Sequence, residues 1–477
     1  MKRIILYILA LFIITLNALA QQEISSDSLL RKAREFALQG KAEQASQRFY
    51  NALKPSLPDS LIEALFLDIR DILTVEEVAS FRQAEDKAAW LQTFWQRLDP
   101  TPATVANERL IEHYQRLHIA RTRYRSPQPR GYDDRGMVYL RYGEPDDIFI
   151  SPLGRLTRGN ESWVYHRLGD VSFDFVEYGG LYRLVTDLRK AIESVPQNLN
   201  GLIGLWKGLF EQRQNLSLRY QITANKLNQI LHSISEDIPP QVAFAQAERT
   251  VTYEYIDRNE EKKRFLPQHT TDFVLPEKHM DIIISYAIFA DKKASSLKNS
   301  RLRLELYYAI PLQQLHAVNL FQEDSHRDIK MYFSVFTKNY QLVVRKIEII
   351  ALNLAAVLSL KDYLGQLTFF LQPDTYRVAL DIQSPQTNQR GMMQMLVAVP
   401  SSHQDQARAC EATSSWQLPP SCARLLPEDK EKGFIKHGLY VRPYPYPRQS
   451  CASSQSSCIS RFTGLFLGRS RHGVATG

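Results

Sequence analysis

The residues that follow position 25 carry apolar side chains with a helical period on both sides of a glycine, Gly40. The apolar positions are Ala33, Phe36, Ala45, Phe49 and Ala52. Spacings of three and four place such side chains on one face of a helix. The pattern therefore predicts two helices that turn at Gly40, at the start of a helical region over 21–125.

The second half of this hairpin, with Ala45, Phe49 and Ala52, resembles the second helix of a tetratricopeptide unit. One such unit cannot bury its own apolar face, so we expect it to pack on further helices. Apolar periodicity predicts these at 61–73, 74–98 and 105–124, and Thr74-Val-Glu-Glu is a capping box that marks a helix start. We therefore predict that residues 21–125 form a helical layer that supports the rest of the chain.

A different period begins after residue 160. Trp163, Tyr165, Phe173 and Phe175 alternate with polar residues, and glycine-containing turns stand at 169–170 and 179–180. Alternation with a period of two is typical of strands. We predict a small antiparallel sheet within a domain over 126–190.

Residues 191–245 return to a helical, linking character that the pair Pro239-Pro240 is expected to close. From 246 to 448, runs such as DIIISYAIFA, KMYFSVF and YRVALDI alternate with polar turns, which predicts an antiparallel β-sandwich. Residues 353–367 fit either a helical crossing or two more strands. The fold class predicted is α+β: a helical layer, a small antiparallel sheet and a C-terminal sandwich.

The N-terminus has the three parts of a secretory signal. Lys2 and Arg3 precede an apolar run, and Ala18-Leu-Ala offers a small-x-small cleavage site before Gln21. A membrane anchor is the rival interpretation, but the run lacks a basic stop-transfer flank. We therefore expect residues 1–20 to be removed, the protein to be exported to the periplasm or beyond, and no membrane span to remain.

The net charge of the chain does not indicate a particular class of partner. The chain of 477 residues has a formal net charge of +8 and a pI near 9.1, but its basic residues are scattered. Nucleic-acid binding usually needs a basic patch or stripe. We predict no nucleic-acid partner.

The best candidate for chemistry is the run GYDDRGMVYLRYGEPDD at 131–147, with Asp133, Asp134, Asp146 and Asp147. Catalytic carboxylate pairs need two acids held together with divergent pKa values, which adjacency alone does not supply. The favoured interpretation is a hairpin strand over 137–142, entered by a turn at 134–136 and left by a turn at Gly143 with positive φ. The alternative is a metal-binding or hydrolytic site built from the four aspartates.

Other candidates are weaker. His113 and His118 lie five positions apart on a predicted helix and so do not share a face as zinc ligands would. No phosphate-binding glycine-rich loop or His-Glu-x-x-His motif occurs. We predict no cofactor and no resident metal.

Motifs over 94–187 resemble the GWxTD domain family, exported bacterial proteins without an assigned reaction. The family pattern runs from a Trp-Asp/Arg-Pro-Thr-Pro-like segment through Gly-Trp-x-Thr-Asp-Arg-Gly and Tyr-Gly-x-Pro-Asp to a Trp-x-Tyr and a Phe-x-Phe strand. The positions of this chain that correspond to the motif are Gly131, Tyr132, Asp133, Asp134, Arg135, Gly136, Tyr142, Gly143, Pro145, Asp146, Trp163 and Tyr165. The chain departs at Tyr132, where the family has Trp, and at Asp133, where it has Thr, and it is one residue short between Gly131 and Asp134.

Together the motif and the resemblance predict an exported, non-catalytic interaction or envelope-associated protein, with an envelope protein as the expected partner. A metal-dependent hydrolase that uses residues 133–147 is the alternative. The motif residues are expected to be structural.

The C-terminus suggests a reading-frame error. Residues 449–477 lack strand or helix periodicity, and all four cysteines of the chain lie beyond residue 409: Cys410, Cys422, Cys451 and Cys458. A one-base shift from Gln455 can encode the alternating strand VFVYFEIYG, and the same shift from Ala409 can encode LRGDLQLA. We therefore expect 402–426 and 449–477 to be out of frame, which resequencing of the locus tests. The alternative is a disulfide-stapled tail, for which four cysteines allow three pairings.

Overall fold

The computed structural model describes residues 25–151, 154–234, 238–274, 279–290, 302–311, 326–353, 362–385, 388–400, 434–436 and 439–441. The predicted signal segment and the predicted out-of-frame stretches lie outside these residues. The chain forms two compact units: the first holds the described residues up to Trp95 together with Glu108–Phe273, and the second holds Gln96–Asn107 with the residues from Val274 onward. No helix in the described ranges is long and apolar enough to cross a membrane.

The N-terminal region is helical, as predicted. Its helices are α1 (Ser26–Leu38), α2 (Ala42–Ala52), α3 (Asp59–Ile69), α4 (Val75–Gln83), α5 (Lys87–Leu98) and α6 (Glu108–Arg123). Gly40 has a φ of +71° between α1 and α2, a conformation that glycine adopts without strain. Ala45, Phe49 and Ala52 are buried, so the predicted hairpin is confirmed.

The single helix expected over 74–98 is instead two. Thr74 and Glu77 form the predicted capping box at the start of α4, but Ala84 is extended and ends that helix. Asp86 then accepts a hydrogen bond from the Ala89 backbone N–H at 2.9 Å, a cap for α5. The cap at Asp86 starts a second helix, although the apolar periodicity over 74–98 is continuous in the sequence.

A four-stranded antiparallel sheet follows α7 (Asp134–Tyr142). Its strands are β1 (Asp147–Ser151), β2 (Asn160–Tyr165), β3 (Val171–Tyr178) and β4 (Leu181–Val185), and they are paired in the order β1-β2-β3-β4. Every residue of β2 is buried, because both faces of the sheet are covered. The alternation in the sequence therefore separates two buried faces, one aromatic and one largely polar.

The second face packs on helices α8 (Leu199–Glu211), α9 (Leu218–Ile234) and α10 (Pro240–Thr250), which continues through a π-helical turn (Val251–Asp257) into α11 (Arg258–Lys263). Two boundary predictions are wrong. Pro240 opens a helix instead of closing one, since proline is well tolerated at the first helical position. Residues 246–263 are helical, not the start of the sandwich, because Ala243, Ala247, Val251 and Tyr255 are buried at a spacing of four.

The second unit contains the predicted antiparallel sheets. The strands are β5 (Ile283–Ala290), β6 (Leu302–Pro311), β7 (His326–Thr337), β8 (Leu342–Asn353), β9 (Asp362–Leu371), β10 (Asp374–Ser384), β11 (Gln389–Val399), β12 (Phe434–Lys436) and β13 (Leu439–Val441). The two larger sheets have the orders β11-β10-β7-β8 and β5-β6-β9, and β12 pairs with β13. Side chains of both larger sheets share one core, where Phe333 stacks on Phe369 with ring centroids 4.7 Å apart. Of the two alternatives for 353–367, a strand is observed from Asp362; residues 354–361 lie outside the description.

Candidate functional site

The run at 131–147 centres on a helix, so the predicted strand over 137–142 is wrong. Asp133 begins α7 by accepting a hydrogen bond from the Arg135 backbone N–H at 2.9 Å. Val138, Tyr139 and Tyr142 are buried along it. The apolar run was too short to distinguish the two periods, and the aspartate proves to be a helix cap.

The turn predicted after this run is confirmed at Gly143, which has a φ of +75° and follows the last residue of α7. Its carbonyl accepts a hydrogen bond from the Tyr165 hydroxyl at 2.9 Å. A Cβ added there would lie 2.9 Å from Arg116 Nη2. Both the backbone angle and the guanidinium therefore require glycine.

The aromatic residue that precedes α7 packs onto its first turn. Tyr132 is completely buried, and a Cβ added to Gly136 would lie 2.7 Å from the Tyr132 Cβ. The Tyr132 hydroxyl donates a hydrogen bond of 3.1 Å to Asp71 Oδ2, in the turn after α3. This tyrosine thereby joins α7 to the helical layer, and Gly136 makes room for its ring. Gly131 before it has a φ of +86°.

Asp133 is also part of a buried chain of charges. Arg135 Nη2 lies 2.7 Å from Asp133 Oδ2, and Arg135 Nη1 lies 2.6 Å from Glu161 Oε1 on β2. Glu161 in turn accepts a hydrogen bond of 3.2 Å from the Trp163 indole N–H. Burial lowers the pKa of Arg135, but hydrogen bonds with Asp133 and the charge of Glu161 raise it by more.

Asp134 links two other elements. Its Oδ1 accepts from Arg130 Nη2 at 2.5 Å, and its Oδ2 accepts from the Leu184 backbone N–H on β4 at 2.9 Å. Both oxygens are therefore used to hold the sheet edge and the loop before α7.

Asp146 and Asp147 lie beyond the other end of α7 and are exposed. Asp146 Oδ1 pairs with Arg167 Nη1 at 2.6 Å, and Asp146 Oδ2 accepts from the Arg167 backbone N–H. Burial raises the pKa of Asp146, but the Arg167 hydrogen bonds outweigh it and hold that pKa below its usual value.

Asp147 Oδ2 lies 2.8 Å from Nε2 of His166, and Asp170 Oδ1 lies 2.5 Å from Nδ1 of the same ring. Hydrogen bonds to Asp170 and then to Asp147 raise the pKa of His166. The imidazole thereby bridges β1 and the turn before β3.

The four aspartates do not converge on one site. The nine-residue helix α7 separates Asp133 and Asp134 from Asp146 and Asp147 by about 13 Å along its axis. Each of the four carboxylates has at least one arginine or histidine partner. No group of three or more His, Cys, Asp or Glu within the described ranges could hold a metal ion.

The remaining motif residues pack around α7. Tyr142 stacks on Phe173 with centroids 5.5 Å apart, and Trp163 contacts Phe175 edge to face at 4.9 Å. Pro145 is buried. Burial raises the pKa of the Tyr165 hydroxyl well above its usual value. These contacts form one aromatic layer between α7 and the sheet.

Of the two histidines on α6, His113 is buried and His118 exposed. His113 Nε2 lies 3.0 Å from the Asp68 carbonyl, so this nitrogen carries the proton. Burial lowers the pKa of His113 well below its usual value. The two side chains thus lie in different environments.

Sequence reasoning missed a second polar cluster, on the opposite face of the sheet. Asp174 Oδ1 accepts from Ser162 Oγ at 2.5 Å and from the Tyr220 hydroxyl at 2.8 Å, and its Oδ2 accepts from the Tyr255 hydroxyl. Arg213 Nε donates to Ser162 Oγ at 2.6 Å. All five side chains are buried. The sequence signal for this cluster was a carboxylate between two phenylalanines of a predicted strand, Asp174 between Phe173 and Phe175.

Residues 36–182 match the family model of the GWxTD domain, so the resemblance inferred from the motifs is confirmed and this chain contains a GWxTD domain. The matched range begins within α1 and ends within β4, and it includes α7 and every motif residue from Gly131 to Tyr165. No curated protein matches the chain.

Proposed function

We propose that this GWxTD-domain protein is exported and acts as a non-catalytic interaction protein associated with the bacterial envelope. Its N-terminal signal pattern supports export. Its tetratricopeptide-like hairpin supports an interaction role, since such helical pairs stack on neighbours to bury a shared face.

The observation that carries the proposal is the pairing of the motif carboxylates. A general acid must hold a proton near neutral pH, which needs a carboxyl group shielded from positive charge. Asp133, Asp134 and Asp146 instead lie within 2.7 Å of arginine nitrogens, so each of these carboxylates is engaged in an ion pair. Such carboxylates stabilise the fold and are poorly suited to proton transfer.

Export is tested on the full chain produced in a bacterial host. N-terminal sequencing of the exported protein should give Gln21 as the first residue. Exported material that begins at Met1, or protein retained entirely in the cytoplasm, contradicts this part of the proposal.

The alternative of a metal-dependent hydrolase is tested by thermal unfolding with Ca²⁺ or Mn²⁺. We expect that neither ion raises the melting temperature of the wild-type protein, and that Asp134→Asn and Asp146→Asn are equally insensitive to the two ions. A metal-dependent stabilisation that both variants lose would favour the hydrolase. Capture of one envelope protein by the chelator-treated protein, and capture of the protein by that envelope protein in return, would support the interaction role.

A further inference from the structure

The second unit includes one short segment from the N-terminal part of the sequence, Gln96–Asn107, which contains the loop at 99–107 between α5 and α6. Thr104 N donates to the Thr101 carbonyl at 3.0 Å, which closes a β-turn with Pro102 at its second position, the place where proline is favoured. Asp99 Oδ1 accepts from Thr101 N at 2.9 Å. The Thr104 hydroxyl lies 3.1 Å from the carbonyls of Thr101 and Ala106. The loop is therefore braced by its own side chains.

The tip of this turn is bound by a cross-strand pair of the sandwich. Ser334 on β7 lies directly opposite Arg345 on β8. Ser334 Oγ donates to the Ala103 carbonyl at 2.9 Å, and Arg345 Nη2 donates to the Pro102 carbonyl at 3.1 Å. Arg345 Nε also donates to Ser334 Oγ at 2.8 Å, which fixes the hydroxyl so that its proton points to the loop.

We propose that this face of the sandwich is a recognition site for a proline-containing turn peptide, and that residues 99–107 are its resident ligand. Two successive backbone carbonyls of the loop are bound at the site, and the side chains of Thr101 and Ala103 are buried. A braced turn loses little conformational entropy on binding, which favours such recognition.

Exposed apolar side chains continue the site along β8. Ile347 and Ile349 lie two and four positions after Arg345, on the same face of the strand, and are 53% and 66% exposed. A peptide longer than the resident turn would find apolar contacts there. The site therefore suits a partner with a Thr-Pro-Ala-Thr turn followed by apolar residues.

Hydrogen exchange on the full chain tests the docking. Arg345→Ala should speed exchange of the Thr104 amide by about tenfold or more, since it removes a charge-assisted hydrogen bond. Ser334→Ala, which removes only a hydroxyl, should act in the same direction. Lys346→Ala is the matched control, because Lys346 is the next residue, points to the other face and pairs with Glu348. Unchanged exchange in both site variants overturns the proposal.

A binding experiment tests recognition itself. The full-length triple variant Asp99→Ala, Pro102→Gly, Thr104→Ala removes the bracing and should release the loop, as hydrogen exchange will report. A labelled synthetic peptide of residues 96–107 should then bind this variant one to one. The peptide should bind wild-type protein at least about tenfold more weakly, because the loop already occupies the site. It should not bind the triple variant once Arg345→Ala is added to it. A released loop with no peptide binding overturns the proposal, and so does protection of the loop that persists after Arg345→Ala is added to the triple variant.

Discussion

The Cβ that Gly136 lacks would lie 2.7 Å from the Cβ of Tyr132 and 2.9 Å from its ring. Real side chains do not approach so closely, so the aromatic residue and the glycine of the motif are one packing unit. Their spacing of four residues places the ring directly over the first turn of α7.

Gly136→Ala should therefore lower the free energy of unfolding, although alanine is the better helix former by about 1 kcal/mol. Displacing the buried Tyr132 ring is expected to cost about 1–3 kcal/mol, as overpacking usually does. Urea denaturation measures the difference. The control is Gly204→Ala in α8, where an added Cβ meets nothing within 4 Å; equal effects at the two glycines would contradict the packing unit.

Gly143→Val should destabilise the protein more than Asp147→Asn. Valine at a φ of +75° is strained by about 1–3 kcal/mol, and its Cβ would also meet Arg116 and Asp272. Asp147 is exposed, and loss of a surface ion pair costs about 0–1 kcal/mol. Thermal melts of both variants at neutral pH give the comparison, and equal shifts would argue against the requirement for positive φ.

Stability should fall as pH rises through the pKa of His166 in the folded protein. The raised pKa means that the protonated ring is favoured by folding, so its contribution is complete below the ordinary value of 6.5 and is lost above the folded value. Urea midpoints at about pH 5.5, 7 and 8.5 should show this decline. His166→Gln should flatten it, whereas His118→Gln, a change at an exposed histidine of α6, should not.

Asp174→Ala should be among the most destabilising single changes in the first unit. It leaves the hydroxyls of Ser162, Tyr220 and Tyr255 without their shared acceptor and the buried Arg213 without its nearby charge, at a cost of about 3–5 kcal/mol. Glu193→Ala provides the control, because Glu193 is half exposed and 3.9 Å from Arg158. Chemical denaturation that ranks the two variants alike would show that the cluster contributes little.

The sequence by itself determined the local elements and the domain. Gly40 and the capping box at Thr74 predicted helix boundaries, because a glycine turn and a reciprocal cap depend on residues within one turn of each other. Alternation predicted β2, β3 and the strands of the second unit, and the motif residues identified the GWxTD domain.

Tertiary structure decided the rest, because it depends on partners far apart in the sequence. The run at 137–142 fits a strand or a helix by period alone, and the cap at Asp133 and the packing of Tyr132 on Gly136 make it a helix. Alternation predicted the strands β2 and β3 but not what covers their polar positions, where helices from residues 199–263 bring Tyr220 and Tyr255 to Asp174. Asp134 binds the backbone of Leu184, fifty residues away. The aspartates that are close together in the sequence therefore hold different elements of the fold. No local pattern specifies such contacts, because each forms only when two distant segments fold against each other.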